Sequence, residues 1–230
     1  MAIVFLDIER STEITIALGR YWPQFLQNLY QQMESFIQTY EQYGCRRHKL
    51  IGDAILAIFS PQFASRISSN LSLEQMTRYA FEFASEVKHG INRWLSISRQ
   101  LGRPPRWIQL LDTVLRDNPQ TTELLDEQDP LLRIIASIAT GQIIPIQEPK
   151  RRERSWRRRE IAGVAIHRAN RLTKVHELLP YNDIFVTSQC YHQLLDQHRQ
   201  ALPNITDIRL KGFSQPERVH SGIMRLKLIP

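Results

Sequence analysis

The chain has 230 residues, 42% of them hydrophobic, and its 30 Lys and Arg against 23 Asp and Glu leave a formal net charge of +7. That length and apolar content allow one sizeable core and demand no second domain, so residues 1–230 are read as a single domain. No apolar run is long enough to cross a bilayer and no signal-peptide pattern opens the chain, which predicts a cytoplasmic protein with no membrane partner. Cys45 and Cys190 are too few for a disulfide framework or a zinc site, and both are read as reduced thiols.

The first apolar run, Ile3 to Leu6, reads as a strand running into Asp7, followed by a turn and a helix capped by Ser11 or Thr12. Free backbone N–H groups at such a strand–turn–helix junction can hold phosphate oxygens. Trp22, Phe25, Leu29, Met33, Phe36 and Tyr40 then recur at steps of three and four, which predicts a core-facing helix with Pro23 near its start. Arg46 to Ile51 and Ala54 to Phe59 read as two strands of a hairpin connected by Gly52-Asp53. If this hairpin lies beside the first strand, Asp7 and Asp53 meet at one sheet edge. Either aspartate alone is more often a turn residue, but together they offer hard oxygen ligands that suit Mg²⁺ or Mn²⁺.

Past Ser72, a helix carries Met76, Ala80, Phe83, Val87, Ile91 and Trp94 on one face, an aromatic stripe read as core. Gly102-Arg103-Pro104-Pro105 breaks the chain before a short helical pattern from Trp107 to Leu115 and an acidic stretch from Asp117 to Pro130. A strand–turn–strand pattern follows from Arg133 to Ile144. The basic run from Lys150 to Arg159 is read first as a solvated loop and second as an electropositive funnel for a triphosphate. Nucleic-acid binding through Trp156 and its arginines is the weakest reading, and no nucleic-acid partner is expected. The remaining histidines, His192 and His198 among them, lack ligand spacing and are read as surface residues.

Five segments in order carry a resemblance. They are the Asp7 string, Lys49-Leu50-Ile51-Gly52-Asp53, Arg133 to Ile144, Glu160 to Leu172 with Gly163 at its centre, and Leu210-Lys211-Gly212-Phe213. In this order they resemble the class III nucleotidyl cyclases from Ile3 to about His220. The resemblance implies an α+β fold with a ferredoxin-like βαββαβ core, interrupted at about residues 102–130 by a helical insertion. It also implies conversion of a nucleoside triphosphate to the 3′,5′-cyclic nucleotide and pyrophosphate by a mechanism using two Mg²⁺ or Mn²⁺ ions.

Residue by residue, the resemblance makes Asp7, Asp53 and the carbonyl of Ile8 the metal ligands. Arg171 would steady the reacting phosphate, a task for a bidentate guanidinium. Lys211 would reach the β and γ phosphates, and Lys49 with Glu160 would read the base. A lysine donor beside a carboxylate acceptor complements adenine or cytosine and disfavours guanine and uracil. His167 departs from the family's asparagine at the ribose-orienting position. The metal carboxylates would come from one subunit of a homodimer and the remaining site residues from its partner, so that a monomer is inactive.

The leading expectation is therefore a second-messenger cyclase that favours ATP. One alternative is a stand-alone pyrimidine cyclase of bacterial antiphage defence, making cyclic CMP or cyclic UMP. Another, motivated by His167 and the insertion, is a degenerate cyclase-fold protein that binds nucleotide without turnover.

Overall fold

The structure, a computed structural model, describes residues 1–64, 70–116, 131–145 and 161–224. The strand β1 (Ala2–Ile8) leads into α1 (Ser11–Leu18), a 3-10 turn and the long α2 (Trp22–Tyr40). The hairpin β2 (Cys45–Ile51) and β3 (Ala54–Phe59) precedes α3 (Leu73–Arg99) and α4 (Arg106–Arg116), and β4 (Ile134–Thr140) closes this half. Two-residue strands β5 (Ile144–Pro145) and β6 (Ile161–Ala162) pair with each other, apart from the main sheet. Then come α5 (Val164–Thr173), β7 (Ile184–Thr187), the single turns α6 (Ser188–Tyr191) and α7 (Asp196–Arg199), and the hairpin β8 (Asn204–Ile208) and β9 (Glu217–Gly222).

The main sheet has seven strands in the order β2-β3-β1-β4-β7-β9-β8, and only β4 and β7 run parallel. Its first four strands, with α2 and α3 as crossovers, form the βαββαβ unit in ferredoxin-like order, as the resemblance implied. Alternation along β1 assigns its faces. Ala2, Val4, Leu6 and Ile8 point into the larger core beneath α2, α3 and α4, whereas Ile3 and Phe5 point to the opposite face beneath Ala165 and Ala169 of α5. A strand buried on both sides must read as a continuous apolar run, and β1 does until Asp7.

Local chemistry fixes the helices that cover the larger core. Ser72 caps α3 with a full capping box, in which its hydroxyl accepts from Gln75 N–H and the Gln75 side chain accepts from Ser72 N–H. Such a cap is worth about 1 kcal/mol. Phe36 of α2 packs where α3 has Gly90, and a methyl group there would come within 2.0 Å of the ring. Of the predicted α2 stripe, Phe25, Leu29, Met33 and Tyr40 are buried with Ile37, while Trp22 and Phe36 line its margin. Trp107, Ile108, Leu111 and Leu115 of α4 are buried in the same core, with Trp107 against Phe25 and Trp94.

One local reading is corrected. Neither Ser11 nor Thr12 caps α1. Arg10 holds that position in the left-handed conformation (φ 58°), and Ser11 is already the first helical residue. Glu9 extends the β4 pairing by donating its N–H to Arg133 O at 3.1 Å, so the whole reversal falls on Arg10. His198 is also not a surface residue. Its side chain is 11% exposed, stacked on Phe81 and 3.7 Å from Glu82.

Candidate active site

Asp7 is the first polar residue on the α5 face of β1, placed at the strand's end by the same alternation that buries Phe5. Leu6 pairs with Ile55 of β3, so the β2–β3 turn lies beside that end and brings Asp53 to it. Gly52 takes a left-handed φ of 63° in this turn, and its carbonyl accepts a hydrogen bond from Tyr30 of α2, which pins the turn to the helix. The expected meeting of the two aspartates at the sheet edge is therefore realised.

Burial pushes the Asp7 carboxyl above the ordinary carboxylate range, and the charge of Asp53 raises it further; Lys174 and His176 act in the opposite direction. Asp53 Oδ2 is buried with no hydrogen-bond partner among the described residues. A buried carboxylate oxygen without a donor, beside a second carboxylate, is a place for a cation. The described residues contain no group of three or more His, Cys, Asp or Glu able to hold a metal, so protein carboxylates could supply only part of a metal's shell here. An ion that keeps waters and coordinates substrate phosphates, as Mg²⁺ does, suits so sparse a set.

Behind the pair lies a buried strut that the sequence did not reveal. Arg133 pairs with Glu9 at 2.8 Å and donates to Asn182 O at 3.1 Å, tying the turn after Asp7 to β4 and the start of β7. Lys174, also missed, extends from the end of α5 to within 3.5 Å of Asp7 Oδ2. Nothing local in the sequence marks either contact, because both join segments far apart along the chain.

The other expected residues sit elsewhere. His167 and Arg171 are one helical turn apart on α5, both exposed on the same outward face. Lys211 is exposed in the loop between β8 and β9. Lys49 pairs with Leu56, which pairs with Phe5, so it stands on the Asp7 face of the sheet at the β2 edge. Among the described residues, no ion pair joins Arg171 or Lys211 to Asp7 or Asp53. Glu160 and the basic run from Lys150 to Arg159 lie outside the described residues. A separate groove of about 1420 Å³, lined by Phe36, Glu86, His89 and Trp94 among others, includes none of these site residues.

No protein-family model matches the sequence, and no curated protein does. Solved structures do match. The adenylyl cyclase CyaB from P. aeruginosa superposes with a TM-score of 0.61 at 15% identity, over 98% of this chain and 94% of that one. The guanylyl cyclase Cya2 gives 0.59 at 16% identity, over 96% and 91%. An adenylate cyclase from Trypanosoma brucei, solved in its monomeric state, gives 0.55 at 19% identity, over 96% and 87%. The chain has the fold of the adenylyl and guanylyl cyclase catalytic domains. Within that cyclase fold, Asp7 and Asp53 sit together at the strand end while Arg171 and His167 face outward from α5. No helix among the described residues is long and apolar enough to cross a membrane.

Proposed function

We propose that this protein is a nucleotidyl cyclase, converting a nucleoside triphosphate to its 3′,5′-cyclic nucleotide with loss of pyrophosphate. The observation that carries this reading is the paired, partly buried Asp7 and Asp53 at a strand end of a cyclase fold, with the Asp53 oxygen unsatisfied. Attack of the ribose 3′-oxygen on the α-phosphorus needs a lowered hydroxyl pKa and neutralisation of growing negative charge. Divalent metal held by Asp7, Asp53 and the Ile8 carbonyl would supply both effects when bound.

The chain's own residues do the rest. Arg171 stabilises the charge on the α-phosphate, Lys211 holds the β and γ phosphates, and His167 contacts the ribose. Lys49 donates to an acceptor nitrogen of the base, with Glu160 as the complementary acceptor. This polarity favours ATP, and CTP is the second candidate because cytosine offers the same acceptor beside an exocyclic amine. The outward exposure of Arg171 and His167 supports a homodimer in which each site takes its carboxylates from one subunit and these residues from the partner, in a cytoplasmic signalling protein.

The test is incubation of the purified protein with Mn²⁺ and each of the four ribonucleoside triphosphates separately, with Asp53→Asn as control. One cyclic product, absent in the variant, is expected. Nucleotide binding without pyrophosphate release in every case would replace catalysis with a binding role.

A further inference from the structure

Lys174 is the first residue after α5, and its position is fixed by packing. Ala165 and Ala169 sit against Ile3 and Phe5 of β1, and Ser137 Oγ of β4 donates to Ala169 O at 2.5 Å. The end of α5 is thereby held over the end of β1, and the Lys174 ammonium comes within 3.5 Å of Asp7 Oδ2. Among the described residues, one ammonium ion-pairs with this pair of carboxylates, and Asp53 Oδ2 has no hydrogen-bond partner. The two ends of the contact differ in freedom. The Lys174 side chain is 56% exposed, whereas that of Asp7 is 18% exposed, so the ammonium can swing into water while the carboxylate stays.

We propose that Lys174 is a tethered counter-ion that occupies one cation position beside Asp7 and is exchanged for divalent metal when the site loads. This rests on the reading that Asp7 and Asp53 bind metal. Lys174 then sets the metal affinity of the nucleotide-free protein: the bare pair would bind more tightly, and the tether keeps the metal-free site from carrying two uncompensated charges.

The test is Mn²⁺ binding to the full chain without nucleotide, followed by loss of the free-ion electron paramagnetic resonance signal. Lys174→Met is expected to bind Mn²⁺ about two- to five-fold more tightly, the range for losing one exposed ion pair. Lys174→Arg, which keeps a cation at the position, should stay near wild type. At about 1 M salt, where the screening length falls to about 3 Å, any effect of the protein's overall charge disappears while the 3.5 Å contact is only partly screened, so the gain in Lys174→Met should shrink without vanishing. Unchanged or weaker binding in Lys174→Met, or a gain that vanishes in salt, overturns the exchange; if Asp53→Asn still lowers affinity, the metal reading stands without it. Absence of Mn²⁺ binding in wild type and Lys174→Met alike sinks the metal reading and the exchange together. The exposed position leaves folding intact, which matching melting curves would confirm.

Discussion

Asp7 and Asp53 reach one point of the sheet edge from different elements, and the charge of Asp53 opposes ionisation of Asp7. The metal-free protein bears that repulsion. Asp53→Asn should stabilise it at neutral pH by about 0.5 kcal/mol, on the scale of exposed charge pairs, while removing product formation. The sign follows from the raised Asp7 carboxyl: its charged form is the disfavoured one, so the gain should shrink as pH falls toward 3.8, the ordinary Asp value, and Asp7 protonates. Urea melts of both proteins across that range, in a metal chelator, check it.

The proposed composite sites make a mixing prediction. Asp53→Asn and Arg171→Ala homodimers should each be inactive, and Arg171→Ala should lose at least about 10²-fold in kcat with unchanged melting, because Arg171 is exposed. Equal mixing after subunit exchange should restore roughly a quarter of wild-type activity, since half the dimers are mixed and each carries one intact site. No recovery in a mixture that has demonstrably exchanged would place both residue sets in one subunit.

Lys88 of α3 donates to Asp183 and to Met224 O, while Asp183 also accepts from Met224 N at 2.8 Å. This buried cluster ties the longest helix to the segments entering β7 and leaving β9. Lys88→Met should cost about 3–5 kcal/mol by stranding the Asp183 charge, and Lys88→Met with Asp183→Leu should recover most of it. Denaturant midpoints of the single and double variants measure the coupling.

His89 neighbours that cluster, and burial, assisted by the Lys88 and Arg93 charges against that of Asp183, pulls its pKa from 6.5 to about 4. Between those values the unfolded chain binds more protons than the folded one. Stability present above pH 6.5 is therefore lost as pH falls toward 4. Because the ring is only half-buried, the loss at pH 5 is about 1 kcal/mol after allowance for solvent screening. His89→Gln should remove this part of the acid sensitivity, as thermal melts at pH 7 and pH 5 would show.

Local pattern settled the elements. The apolar run ending at Asp7 reads as a strand, Gly52-Asp53 as the connection of a hairpin, and the stripes on α2 and α3 as helical faces. Nearest-neighbour sterics and burial act within a few residues, so these features are written in short stretches. The Ser11 cap was misread because the turn depends on Glu9 reaching the β4 segment at Arg133.

Pairing across the fold brought the candidate residues together. The sequence supplied Asp7 and Asp53 as candidates, but only the register of β1 with β3 brings them together. Lys174 and the Arg133–Glu9 strut stayed invisible because a lysine at a helix end and an arginine before a strand look the same whether solvated or paired. Their roles come from long-range packing of α5 and β4 against β1. That packing lowers the local dielectric and fixes the neighbours, and so determines what each charge does.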